Sequence, residues 1–234
     1  VPALYKIYDE ILVNAYDRTI EDSTCNTIKV NIDRENNTIT VYNNGQGIPI
    51  IEHKEHKLMI PEMIFGHLNT SSNYDDSVSR KTGGRNGLGA KLTNLFSTEF
   101  TIETVDKKKK YVQTFSDNMS EIGKYKISKY TKKSYTQVSF KPDLAKFKLK
   151  EITKDIYALM QKRVYDIAAI TDKKVKVYLN DELITIKTFK DYVNMYYSDN
   201  KNFVFEIVNN DWQVGVVYIP DNEYEQISYV NGVC

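Results

Sequence analysis

Eleven consecutive positions, Lys81-Thr82-Gly83-Gly84-Arg85-Asn86-Gly87-Leu88-Gly89-Ala90-Lys91, combine residue types suited to capturing an anion. Four glycines between 83 and 89 allow sharp bends and turn several backbone N–H groups toward one charge. Arg85 and Lys91 add positive charge, and Asn86 adds an amide. Lys91-Leu92-Thr93-Asn94-Leu95-Phe96 follows, with apolar residues at 92, 95 and 96 in the spacing of a short helix. A glycine loop feeding a helix N-terminus favours phosphate by geometry and by dipole. Just upstream, Asn69-Thr70-Ser71-Ser72-Asn73 supplies further hydroxyls and amides.

Neither common phosphate motif fits. A P-loop needs glycine, lysine and a hydroxyl residue in succession, but Ala90 separates Gly89 from Lys91 and Leu92 stands at the hydroxyl position. The dinucleotide fingerprint fails too, because Gly84, Gly87 and Gly89 run in the reversed spacing. The remaining chemistry must come from elsewhere in the chain. Glu10 and Asn14 stand four apart on the opening segment and would stack one turn above each other on a helix. Taken alone, that pair reads first as a solvated helix face, which is what most such charges are. Asn43-Asn44-Gly45-Gln46-Gly47 puts an amide that can both donate and accept beside two glycines that let backbone approach a flat ligand. A purine edge, with an exocyclic donor next to a ring acceptor, matches such an amide. A plain turn is the alternative. His53 and His56 have the spacing of a metal pair, but their lysine-rich setting without cysteine does not support one.

The elements that must position these residues follow from pattern. Pro2 suits a helix start, and Leu4, Ile7, Ile11, Leu12 and Ala15 recur at helical spacing. Residues 27–32 and 38–42 alternate as strands around a turn at Glu35-Asn36-Asn37. Residues 61–68 read as a short amphipathic helix. Strands are expected at 99–105 and 111–115, with Lys107 to Lys110 between them, then at 124–129 and 136–140. The four lysines read as a solvated hairpin turn, with a nucleic-acid contact as the second reading. Residues 151–170 form the longest helical pattern, and 175–179 and 183–186 a hairpin through Asn180-Asp181. From Phe189 the pattern restarts with a helix near 192–197 and further strands, which suggests a domain over 1–188 and the beginning of a second over 189–234.

A chain of 234 residues, 41% hydrophobic, can bury a substantial core. The net charge of +1, from 32 basic and 31 acidic residues, argues against nucleic-acid binding by the whole surface, though not against a local basic patch. Two cysteines make no disulfide framework and suit a reducing compartment. No apolar run is long enough to span a bilayer and no signal-peptide pattern is present, so a soluble intracellular protein is expected. The abrupt start at Val1-Pro2, and an end within strand-like Ser228 to Cys234, suggest part of something longer.

In order along the chain, Glu10…Asn14, Asn43-x-Gly45-x-Gly47, Gly83-Gly84-x-Asn86-Gly87-x-Gly89-x-Lys91 and Thr136-x-Val138 resemble the ATP-binding boxes of the gyrase, heat-shock chaperone, histidine kinase and MutL superfamily. Glu10-Ile-Leu-Val-Asn14-Ala15, Ile60-Pro-Glu-Met-Ile-Phe-Gly66, Thr70-Ser-Ser-Asn-Tyr-Asp-Asp76, Thr82 to Lys91 and Arg163-Val-Tyr-Asp-Ile167 are similar, more narrowly, to the ATPase region of eukaryotic DNA topoisomerase II. The resemblance implies a two-layer α/β (α+β) sandwich of the Bergerat type, with a mixed, largely antiparallel sheet and helices on one face, followed by the start of a transducer domain. It implies ATP and Mg²⁺ as cofactors. Glu10 would be the general base, Asn14 the Mg²⁺ ligand, and Asn43 the adenine reader supported by Thr136. Gly47 would lie against the base, Ser71, Ser72 and Asn73 would contact ribose and phosphate, and Gly84, Arg85, Asn86, Gly87, Leu88, Gly89, Ala90 and Lys91 would wrap the triphosphate. It also implies a nuclear enzyme acting on double-stranded DNA as a homodimer, with no membrane.

The chain departs from that pattern in two respects. The wider superfamily usually has Asp where Asn43 stands. No Gln-Thr-Lys loop, N-terminal strap or DNA-cleaving tyrosine region occurs within the chain, so hydrolysis by this chain alone is expected to be slow. Alternatives are a nucleotide-switched clamp or chaperone of the same superfamily, a histidine kinase core, which lacks a phospho-acceptor domain here, and a nucleic-acid module without nucleotide chemistry.

Overall fold

A computed structural model describes residues 1–67, 82–83, 87–196, 203–209, 212–218 and 224–234. Helix α1 spans Pro2–Glu21, with proline in its first turn where a missing N–H costs nothing. Strands β1, Thr27–Asp33, and β2, Thr38–Asn44, form an antiparallel hairpin. Its turn is fixed by Asp33, whose carboxylate accepts the Asn36 N–H at 3.0 Å. Two seven-residue helices follow, α2 over Ile60–Gly66 and α3 over Gly89–Leu95. Strands β3, Ser97–Asp106, and β4, Lys109–Ser116, pair through a two-residue turn in which Lys107 and Lys108 both have positive φ. Short strands β5, Glu121–Ile122, and β6, Lys126–Lys129, both pair with β4. Then come β7, Tyr135–Pro142, helix α4, Lys154–Ile170, and the pair β8, Lys176–Leu179, and β9, Glu182–Leu183. Helix α5, Phe189–Tyr196, precedes a separate ladder of β10, Phe203–Ile207, and β11, Gln213–Val217.

Nine described strands make one sheet in the order β5-β4-β3-β7-β2-β1-β8-β9, with β6 beside β4. Among the described pairs, only β1 with β8 is parallel. The inward positions alternate as a half-buried sheet requires: Ile28, Val30 and Ile32 on β1, Tyr111, Gln113 and Phe115 on β4. The helices cover this face. Full burial of side chains such as Leu4, Leu12, Phe100 and Ile102 contributes about 1.5–3 kcal/mol each.

Helix α1 is held from both sides. The Tyr8 hydroxyl donates to the Met160 carbonyl of α4 at 3.0 Å, and the Thr93 hydroxyl of α3 donates to the Ile7 carbonyl at 2.8 Å. These bonds fix the rotation of α1, so the stripe opposite its apolar face has a defined direction.

Several boundaries differ from the pattern reading, among them the start of α3 at Gly89 and of α5 at Phe189. The long helix begins at Lys154 rather than 151, because the Thr153 hydroxyl accepts the Ile156 N–H and caps it there. The expected strand over 183–186 reduces to Glu182–Leu183 plus a bond from the Ile184 N–H to Val177. Helix α2 stops at Gly66, with His67 extended. Among the described residues, no helix is long and apolar enough to cross a membrane.

Candidate functional site

Lys6, Glu10, Asn14 and Arg18 recur every fourth residue along α1 and form one stripe bordering a cavity of about 880 Å³. Across from it stand Asn43 at the end of β2, Gly47 in the following turn and Thr136 on β7. Gly87, Leu88, Gly89 and Ala90 close the side toward α3. One chamber therefore gathers the opening-helix carboxylate, the purine-matching amide and the described part of the glycine loop. Ser71, Ser72, Asn73, Gly84, Arg85 and Asn86 lie outside the described residues.

At the α1 side, the Glu10 carboxylate packs against Gly89, where an added Cβ would lie 1.9 Å from Oε2. Its other oxygen pairs with Lys6 Nζ at 2.8 Å. Burial lowers the pKa of the Lys6 ammonium, but Glu10 and Asp9 more than offset this and the net shift is upward. The first N–H groups of α3 have no acceptor within the helix, and Gly89 and Ala90 at its start line the cavity. Lys91 follows on α3 with its side chain only 2% exposed, and it is not part of the cavity wall. Burial lowers the pKa of its ammonium.

The opposite end is built on three adjacent strands in register, with Thr136 opposite both Asn43 and Thr104. Buried Thr104 donates to the Tyr135 carbonyl at 3.1 Å and accepts the Ile48 N–H at 2.9 Å. A hydroxyl has one proton, so the 3.1 Å contact between Thr104 and Thr136 has Thr136 as donor. Thr136 then keeps its lone pairs free. The Asn43 amide nitrogen donates to the Asn44 carbonyl at 3.0 Å, which leaves Oδ1 as its acceptor. The turn that follows is tied down by Asp22, which accepts the Gln46 N–H at 2.6 Å together with the N–H and hydroxyl of Thr24. Burial pushes the Asp22 carboxyl upward, but these donors and Arg18 outweigh it, and the net shift is downward.

Gly47 sits so close to β3 that a Cβ would meet the Val105 carbonyl oxygen at 2.0 Å. The obstacle is backbone within the sheet, which cannot swing aside. Gly47→Ala is expected to destabilise the fold by about 1–3 kcal/mol through forced displacement. A urea midpoint equal to wild type would show that the turn relaxes freely.

Pattern reading missed four contributors. Lys6 and Arg18 were legible in principle, being four residues before Glu10 and four after Asn14. Thr104 and the C-terminal turn were not. That turn closes with reciprocal bonds between Val230 and Val233 at 2.8 and 3.0 Å, and Val230, Asn231 and Val233 line the cavity. Fully buried Arg163 on α4 holds it, donating to the Gly232 carbonyl from Nη2 and to Asp9 Oδ1 from Nε at 2.6 Å. His53 and His56 occupy an exposed turn, the His56 N–H donating to His53 Nδ1 at 3.3 Å. No group of three or more His, Cys, Asp or Glu that could cage a metal occurs among the described residues.

A sheet covered on one face by α1 and α4, with a ligand chamber between α1, a glycine loop and strand ends, is an ATPase architecture. The model of the histidine kinase-, DNA gyrase B- and HSP90-like ATPases matches residues 1–145, and the chain belongs to that family. Within it, the chain is similar over its whole length to the ATPase region of eukaryotic DNA topoisomerase II. It is 48% identical to DNA topoisomerase 2-alpha of Gallus gallus over 242 residues, covering 100% of this chain and 16% of that protein. The solved ATPase region of Saccharomyces cerevisiae topoisomerase II superposes with a TM-score of 0.95 at 49% identity, covering 99% of this chain and 62% of that one. The 43K ATPase domain of Thermus thermophilus gyrase B shares the fold, with a TM-score of 0.65 at 20% identity over 86% of this chain and 50% of that one. The chain thus spans about a sixth of the length of the topoisomerase from Gallus gallus.

Proposed function

We propose that the cavity binds ATP with Mg²⁺ and that Glu10 activates water for hydrolysis. The observation that carries this reading is the meeting of Glu10 and Asn14 with Gly87 to Ala90 across one chamber from Asn43 and Thr136. Asn43 Oδ1 and the Thr136 oxygen would accept from the adenine amino group, so an amide oriented by Asn44 does what a carboxylate would. Amides of residues 84–90 would hold the phosphates, with Ser71, Ser72 and Asn73 at ribose and phosphate. Lys91 would support the site as a buried cation behind the loop.

Asn14 would hold Mg²⁺. The site fits a metal that takes one protein oxygen and completes its shell with phosphate and water, because no all-protein cage is present among the described residues. When bound, the ion neutralises phosphate charge. The chain itself positions the reaction. Glu10 orients the water and accepts its proton, and its contact with Gly89 sets its distance from the loop amides. Lys6 holds the carboxylate in place while the site is open.

In the longer protein, this unit would act as the gate of a type IIA DNA topoisomerase: a nuclear homodimer that closes on ATP and passes one duplex through another. Residues 1–188 would form the ATP-binding domain and 189–234 the beginning of a transducer. The separate β10–β11 ladder supports that division. The names of relatives at 48% identity favour DNA passage over a clamp or chaperone role.

Titration with a non-hydrolysable ATP analogue and Mg²⁺ tests the site. Asn14→Ala and Gly89→Ala should each weaken binding about tenfold or more, the first by losing a charge-assisted contact and the second because the added methyl must push the Gly87–Ala90 backbone away from Glu10 and so shift the amides that would hold the phosphates. If both variants bind like wild type, the site is misassigned.

A further inference from the structure

We propose that the corner formed by the β3–β4 turn, the end of β6 and the loop after it is a docking surface for the phosphate backbone of a DNA duplex. Residues 107–133 contain nine lysines against Asp117 and Glu121, a net charge of +7. The whole chain is +1, so all other positions together sum to −6. The balance that argues against nucleic-acid binding by the whole surface conceals this asymmetry.

Six of the lysines, Lys107, Lys108, Lys109, Lys129, Lys132 and Lys133, gather at one end of the sheet and are exposed. The Tyr130 N–H donates to the Lys108 carbonyl at 2.8 Å, which draws the turn and the 130–134 loop together. Lys109 and Lys129 are directly opposite each other in the β4–β6 register. Like charges in that relation destabilise a sheet. None of the six has a carboxylate within ion-pair distance among the described residues, whereas neighbouring Lys110 is paired with Glu103 at 2.8 Å. A solvated face would intersperse the two signs. This corner instead accumulates repulsion that a polyanion would relieve, and a duplex offers one phosphate charge per roughly 1.7 Å of axis. The corner begins three residues beyond Thr104, so it adjoins the Asn43–Thr136 end of the cavity. The choice of a duplex over other polyanions rests on the topoisomerase reading above, while the cavity assignment does not depend on this corner.

The test is binding of a labelled 20-base-pair duplex to this chain across a salt series. Six phosphate contacts predict a log–log slope near −5 and a loss of about 10³-fold in affinity between 50 and 200 mM salt. The triple variant Lys129→Glu/Lys132→Glu/Lys133→Glu should flatten the slope by about 3. It should bind the ATP analogue as wild type does, which shows the fold intact. Reversal of exposed Lys146, Lys148 and Lys150, on another part of the surface, should leave duplex binding unchanged. Absent duplex binding, or equal losses in the two triple variants, would overturn the proposal without touching the nucleotide site. Displacement of the duplex by polyglutamate at equal charge concentration would overturn it in favour of an acidic protein segment.

Discussion

Glu10→Gln is expected to bind nucleotide within a few-fold of wild type and to lose about 10²–10⁴-fold in hydrolysis, measured in a longer chain that carries the second domain. Glutamine keeps the shape of glutamate and the contact with Gly89. It also removes the nearer of the two carboxylate partners of Lys6, but that pair is half exposed and worth about 1 kcal/mol or less. Binding should therefore change little. What the amide cannot do is accept a proton from water at neutral pH, so the loss should fall on turnover. The split separates Glu10 as base from Glu10 as spacer. A variant that still turns over at the wild-type rate would remove Glu10 from the chemistry, and one that fails to bind would make it a structural residue.

Arg163→Met is expected to lower stability by about 3–5 kcal/mol, because it leaves Asp9 buried with its main partner gone. Lys6 reaches Asp9 only at 3.6 Å and is itself half exposed, so it cannot replace the guanidinium. The Gly232 carbonyl would lose its donor as well, freeing the turn that forms part of the cavity wall. Nucleotide affinity should fall together with stability. The double variant Arg163→Met/Asp9→Leu removes both charges and should recover most of the loss, since two apolar side chains can fill the space without an unpaired ion. Guanidinium Nη1 already has no hydrogen-bond partner, so the native cluster is not fully satisfied. Urea unfolding with an unchanged m-value reads the effect. A double variant no more stable than the single would show that packing around Arg163, and not the ion pair, carries the energy.

Much of the site was legible because it lies on regular elements. Glu10 and Asn14 are one helical turn apart, and Pro2 with the apolar spacing of α1 made that helix certain. Asn43 stands near the end of a strand whose alternation was plain, and the glycines from Gly83 to Gly89 announced a loop by composition, although Gly89 and Ala90 already open α3. Lys91 shows what pattern leaves open: a lysine beside a phosphate-type loop looks like a ligand group, and only the structure shows that it is buried and does not line the cavity. Periodicity within one seven-residue helix cannot tell a side chain's surroundings when α1, α2, β3 and β7 all pack against that helix.

The sequence by itself determined the elements, the loop chemistry and the helical stripe, since these depend on residues within a turn or two of one another. Only the tertiary structure decided that Thr104, Thr136 and Asn43 share a row, that Arg163 joins α4, α1 and the C-terminal turn, and that residues 230–233 help enclose the chamber. Those contacts cross as many as 154 positions along the chain. They are set by strand order and helix packing, and local preference carries no record of either.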